Sequence, residues 1–287
     1  MEVAIVGAGR VGTALAVLWR RAGHRIVAVA GGEATPGRAA IYLPDVPVLD
    51  AVGAARAAEV VAIATPDGAI GDVANTIAAA GAVTAGDTVL HASGATGLDA
   101  LDAPRAAGAR VLSLHPLQTC PTVDAALERM AGAGFAVTAL DEAGFALGER
   151  LARDAGGRPF RLADEAKPLY HAAAVFASNY LVTVTALAHE IERAAGLDDP
   201  AALLAPLQEA TLANIVRVGP AEALTGPAVR GDARTVARNL EALAGSMPEA
   251  VQPYVALADL ALALAERSGR LPAGGREEVE AVLATYR

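Results

Sequence analysis

The sequence predicts an α/β fold in two parts: a doubly wound parallel sheet over residues 1–163, then an all-helical domain over residues 164–287. Three observations carry that expectation. Short apolar runs, among them residues 3–6, 60–64 and 88–91, read as strands covered on both faces. Alanine-rich stretches of helical length separate them. Beyond residue 163 strand alternation stops and helical patterning continues.

The first run, residues 3–6, leads into Gly7-Ala8-Gly9-Arg10-Val11-Gly12 and a helical pattern up to about Arg21. This is G-x-G-x-x-G between a strand and a helix, the Rossmann-type setting of a dinucleotide site. Gly7 permits the tight turn, Gly9 lets backbone approach a diphosphate, and Gly12 lets helix meet strand. Backbone N–H groups at the helix start, from Ala8 through Arg10 and Val11, then face the phosphates. His24 reads as a surface turn residue before the second strand, residues 25–30. That strand ends in Gly31-Gly32, with no acid where one would read the ribose of NAD. Arg38 favours the 2′-phosphate of NADP, and Glu33 keeps NAD open.

The strand at residues 60–64 ends in Thr65-Pro66-Asp67. Thr65 and Pro66 would lie beside the nicotinamide ribose, with Asp67 capping a helix over residues 68–80. Strands at 88–91 and 110–114 end in His91-Ala92-Ser93-Gly94 and His115-Pro116-Leu117-Gln118-Thr119-Cys120. Open parallel sheets bind ligands beyond these carboxyl ends, which makes Ser93, His115, Gln118 and Thr119 candidate site residues. Packing explains His91 equally well, and Cys120 has no activating base in the sequence. Further strands are expected at 134–139 and 158–162, around a helix at 142–155 capped by Asp141.

Lys167 is the single lysine among 23 basic residues. In so arginine-rich a chain, a lone lysine marks a place where arginine fails, because lysine can give up its proton when buried. Chance survival of a solvated residue is the alternative. Lys167 precedes a helix expected over residues 168–195, with Pro168 in its first turn and Gly196 at its end. His171 lies about 40° round that helix from Lys167 and Asn179 about 120°. Residues 169–187 are apolar almost all round, which predicts a helix buried on every side. A domain this small buries such a helix best by pairing with a second copy, so a homodimer is expected. More helices are expected at 201–216, 232–244, 249–268 and 276–285. Arg230, in a turn-rich loop, is a candidate substrate-carboxylate clamp or a surface ion pair.

A net charge of −9 argues against nucleic acid or anionic membrane as partner. The only cysteine is Cys120, no apolar run of 18 residues escapes a charge or breaker, and a strand from residue 2 leaves no room for a signal peptide. The expected setting is cytoplasmic, with no membrane span.

Together, Gly7-Ala8-Gly9-Arg10-Val11-Gly12, His91-Ala92-Ser93-Gly94, His115-Pro116-Leu117-Gln118-Thr119, Lys167-x-x-Tyr170-His171, Ser178-Asn179-Tyr180, Leu224-Thr225-Gly226-Pro227 and Arg230-Gly231-Asp232 carry a resemblance. Over nearly its whole length the chain resembles the two-domain Rossmann-like proteins whose helical C-terminal domain is of unknown function. Wider relatives are pyrroline-carboxylate reductase, prephenate dehydrogenase, ketopantoate reductase, the β-hydroxyacid dehydrogenases and deazaflavin-dependent NADP reductase. The resemblance implies an NAD(P)-dependent oxidoreductase fold with a dimerising helical domain. Lys167 is similar in placement to the catalytic lysine of β-hydroxyacid dehydrogenases, which carry asparagine where this chain has His171. His115-Pro116 is similar to the His-Pro pair of prephenate dehydrogenase, whose histidine contacts the reacting hydroxyl; Leu117-Gln118 departs from it. The Ser-Arg pair of NADP-using relatives is absent after the second strand.

The expected function is hydride transfer between a nicotinamide dinucleotide, NADP before NAD, and a small polar metabolite bearing C=O, C=N or CH–OH. Lys167 or His115 would move the proton, with His171 assisting; Ser93, Gln118, Thr119, Asn179 and Arg230 would hold the substrate. The alternatives are a dinucleotide-sensing or partner-binding protein without turnover and a helical dimer scaffold.

Overall fold

The computed structural model describes all 287 residues. The first compact unit, Met1–Asn179, is built on a seven-stranded sheet. Its elements are β1 (Glu2–Val6), α1 (Arg10–Arg21), β2 (Arg25–Ala30), α2 (Thr35–Tyr42), α3 (Ala51–Arg56), β3 (Val60–Ile63), α4 (Ile70–Ala79), β4 (Thr88–His91), α5 (Asp102–Ala106), β5 (Arg110–Leu117), α6 (Val123–Arg129), β6 (Gly134–Ala139), α7 (Glu142–Asp154), β7 (Arg158–Arg161) and α8 (Lys167–Ala177). Strand order is β2-β1-β3-β4-β5-β6-β7. Neighbours are parallel except β5 and β6, which run antiparallel. Chain direction across the sheet reverses between β1 and β3, the switch point at which such sheets bind ligands.

The apolar runs become strands because both faces are covered. On one face Val3, Ile5 and Leu112 join Leu15, Trp19 and Leu151. On the other, Ala4, Val61 and Ile63 join Ile70, Ala74 and Ile77. The buried Trp19 indole N–H donates to the Leu151 carbonyl at 2.8 Å, tying α1 to α7.

The second compact unit, Tyr180–Arg287, is helical. It comprises most of α9 (Asn179–Ala194), then α10 (Pro200–Val218), α11 (Pro220–Ala223), α12 (Ala233–Ser246), α13 (Val251–Arg267) and α14 (Gly275–Ala284). Val236, Leu240, Val255, Leu262, Val279 and Leu283 form its core, and Asp232 caps α12 by accepting from the Thr235 N–H.

Four expectations are corrected. The helix over 168–195 is two helices, broken at Ser178, whose φ of −125° is not helical. It is not buried on every side: in this single chain α9 has no buried residue and α8 only Lys167. His24 is buried, with Nε2 2.8 Å from Asp154. Asp67 caps no α-helix; it begins a short 3₁₀ turn, and α4 starts at Ile70.

The helical stretch Asp164–Ala194 also has the length and hydropathy of a membrane span, contrary to the reading of the sequence. Its break leaves helices of 11 and 16 residues, each short of the roughly 20 that a bilayer requires. Its start is held among the strands of the first unit through Lys167.

Candidate active site

The glycine turn leaves β1 at the switch point. Gly7 has φ +96°, and a Cβ there would lie 2.5 Å from the Ala64 carbonyl carbon and the Thr65 nitrogen. Only glycine allows this exit so close to the end of β3. A Cβ on Gly12 would lie 2.5 Å from the Gly7 oxygen, so α1 could not seat. Gly9 differs: its φ is −76° and a Cβ would meet only the Gly7 oxygen, at 3.9 Å. Nothing within the chain requires glycine at position 9. Its bare backbone is room for a ligand.

Gly9 also begins α1 without a side-chain cap, which leaves first-turn N–H groups for an anion. A cavity of about 340 Å³ runs from Ala8 and Gly9 past Gly31 and Arg38 to Thr65 and Pro66. Arg38 Nη1 donates to the Ala8 carbonyl at 2.7 Å, and Thr65 Oγ1 is buried without a partner. Glu33 lines the same cavity from an exposed position. A diphosphate cradle, an uncapped helix start and a guanidinium near the end of β2 fit a dinucleotide.

At the neighbouring strand ends, β5 outruns β4. His91 pairs with Ser113, whereas His115 and Pro116 pair only with Ala136 and Phe135 of β6. The expected end of β5 at residue 114 is thus corrected to Leu117, and His115 lies within the strand. The imidazole of His115 lies on Gly94: a Cβ there would stand 2.7–2.9 Å from Cε1, Nδ1 and Nε2. His115 Nδ1 is 2.8 Å from the Tyr170 hydroxyl.

Below this, Lys167 is 1% exposed. Its Nζ donates to Ser113 Oγ at 2.7 Å and to the Ser93 carbonyl at 3.1 Å. The Ser93 hydroxyl serves its own turn, accepting from the Ala95 and Thr96 N–H groups. Burial lowers Lys167 to about 8, with the Asp164 and Asp67 carboxylates opposing. Burial, then the Lys167 charge, then His171 lower His115 to about 4 against the pull of Asp67. Burial and then Lys167 lower the fully buried His91 to about 3; its Nδ1 accepts the Ser93 N–H. Burial raises Tyr170 to about 12. At neutral pH both histidines are uncharged, Tyr170 is a phenol and Lys167 carries the local positive charge.

Sequence reasoning found His115, Lys167 and His171, and the first unit brings them within electrostatic reach of one another. Gln118 and Thr119 lie in the loop after β5, bonded to each other and to Arg129. Arg10 Nη1 fastens that loop to the glycine turn by donating to the Pro121 carbonyl at 3.2 Å. Cys120 is half-buried, and burial raises its thiol, so it is no thiolate. Asn179 opens α9; Arg230 is exposed in the other unit and makes no ion pair. Sequence reasoning missed the roles of Tyr170 and Ser113. The spacing Lys167-x-x-Tyr170 was the available signal, since residues three apart share a helix face.

Comparisons place the chain among known proteins. No curated protein sequence matches it. A provisionally assigned NADP oxidoreductase from Bacteroides fragilis superposes with a TM-score of 0.76 and 22% identity, over 91% of this chain and 97% of that one. A Thermotoga maritima protein gives 0.71 and 25% identity, over 93% and 100%. A reductive aminase from Aspergillus terreus, in complex with NADPH and ethyl levulinate, gives 0.64 and 19%, over 100% and 99%. Residues 1–116 match the model of the Rossmann-like domain, and residues 133–261 match that of the domain of unknown function DUF2520.

Proposed function

We propose that this chain is an NAD(P)H-dependent oxidoreductase acting on a C=O, C=N or CH–OH group of a small polar metabolite, with NADP preferred. The observation that carries this reading is Gly9, whose missing side chain serves no internal packing and lies at the uncapped start of α1. Arg38 supports NADP: it borders the cavity beside Gly31-Gly32, which stand where an acid would bond a free ribose 2′-hydroxyl, with Glu33 one residue further on. Arg10 and Val11 lie on the first turn of α1, whose backbone N–H groups support the diphosphate.

A bound nicotinamide dinucleotide supplies or accepts the hydride. The chain's own residues handle the proton. His115 is the proton-transfer group, because its ring is half-buried at the strand ends and uncharged at neutral pH. Lys167 is a positioning residue: its Nζ joins the turn at Ser93 to Ser113, and so holds Gly94 under the imidazole. Burial keeps His115 and His91 neutral, and the Lys167 charge adds to it. His171, Gln118, Thr119 and Asn179 are proposed to face the substrate.

The apolar surface of the helices supports a homodimer in the cytoplasm. Phe176 is 65% exposed, Val182 68%, Leu207 63% and Val216 88%, large apolar side chains that a second copy would cover.

The test is a screen of ketones, aldehydes, imines and alcohols with each dinucleotide, read as oxidation or reduction of the nicotinamide. Turnover of a carbonyl, imine or alcohol that is lost in His115→Gln supports the reading. Binding of neither dinucleotide overturns it.

A further inference from the structure

A hydrogen bond couples the Tyr170 phenol to the His115 imidazole. It joins α8 to the overhanging end of β5 at 2.8 Å. The phenol ring sits edge-on to both His115 and Phe160, which fixes its direction. Two arrangements of hydrogens fit the distance. Either the phenol donates to Nδ1, or Nδ1–H donates to the phenol oxygen. A phenol is the better donor and an imidazole nitrogen the better acceptor. In the second arrangement the half-buried phenol hydrogen has no protein acceptor, because Nδ1 is the hydroxyl's only partner.

We infer that Tyr170 is a positioning residue: by donating to His115 Nδ1 it fixes the imidazole as the Nε2–H tautomer, so the site takes an uncharged carbonyl substrate rather than a protonated iminium. This rests on the oxidoreductase reading above. A carbonyl oxygen accepts from Nε2–H, whereas an iminium nitrogen has no lone pair to do so. Lys167 and His171 on α8 and His91 on β4 are the other basic groups around the ring, and Asp67 is the facing carboxylate. Asp164, near Lys167, is already bonded to the Leu98 N–H. On reduction the carbonyl carbon gains a hydride from the reduced dinucleotide. Its oxygen takes the Nε2 proton and Nδ1 takes the phenol proton; Nδ1 then returns that proton to the phenolate as water reprotonates Nε2, which restores the starting tautomer. In alcohol oxidation every transfer reverses.

The test is nitrogen NMR of histidine-labelled full-length protein, whose five histidines make assignment by single substitution practical. The expected wild-type spectrum has Nδ1 unprotonated and Nε2 protonated at neutral pH. Tyr170→Phe should shift His115 Nδ1 and leave dinucleotide affinity within about twofold. A wild-type His115 protonated at Nδ1, or nitrogen resonances unmoved in Tyr170→Phe, overturns the tautomer assignment. With a carbonyl substrate, Tyr170→Phe should lower kcat about 10- to 100-fold. Added amine should not raise the rate above that of the carbonyl alone; amine-dependent turnover overturns the substrate class. Failure to bind any dinucleotide would instead sink the oxidoreductase reading, while the NMR result still decides the tautomer.

Discussion

Lys167 puts a charge where a small protein rarely tolerates one. Its pKa is lowered from 10.5 to about 8, so below pH 8 the folded chain bears a burial cost of about 3 kcal/mol. That cost is recovered as pH climbs from 8 to 10.5, where the folded lysine releases its proton before the unfolded one. Lys167→Met is therefore expected to cost no stability in denaturant at neutral pH, although it loses two hydrogen bonds, while turnover falls by orders of magnitude. A large loss of stability would make Lys167 a structural residue. The histidines have the opposite consequence. His91 and His115 hold pKa values of about 3 and about 4, against 6.5 when unfolded. Above pH 6.5 neither state binds the proton. Below it the unfolded chain does so first, and stability is lost as pH falls. Between pH 6.5 and 5 each histidine should contribute a loss of roughly 2 kcal/mol, and His115→Gln should make the slope shallower. Denaturation at several pH values checks both the sign and the slope. Lys167 was legible in the sequence through its rarity and its place at the start of a helix. Tyr170 was not, because in an apolar helix a tyrosine reads as packing until its hydroxyl finds a partner.

At the scale of elements, two glycines separate binding from chemistry. Gly9→Ala has room for its methyl group in the protein, so the fold should hold while dinucleotide affinity drops about tenfold or more. Gly94→Ala places its Cβ against the His115 ring, so turnover should fall while dinucleotide affinity persists. Thermal unfolding, a binding titration and rates on both variants distinguish the two patterns. The strands and α1 were legible because apolar runs covered on both faces have few other uses. The overhang of β5 was not: Pro116 reads as a strand end, yet the antiparallel β6 pairs with it. The break at Ser178 was equally hidden, since neither glycine nor proline marks it in an alanine-rich run.

At the scale of the molecule, hydrophobicity identified the right helices, and a single chain leaves them uncovered. Residues 169–187 read as a core, but in one chain they are surface. The account expects a homodimer by light scattering, with Val182→Asp and Val216→Asp weakening it. Partition of the purified chain into detergent or vesicles, with no dimer, would place lipid on that face instead.

The central claim is a nicotinamide dinucleotide site at the glycine turn, and calorimetric titration with NADPH and NADH tests it most directly. The account predicts saturable binding of both, NADPH tighter by about tenfold, with the preference erased in Arg38→Ala. Tighter binding of NADH would move ribose recognition to Glu33. Binding of neither by folded protein would contradict the account.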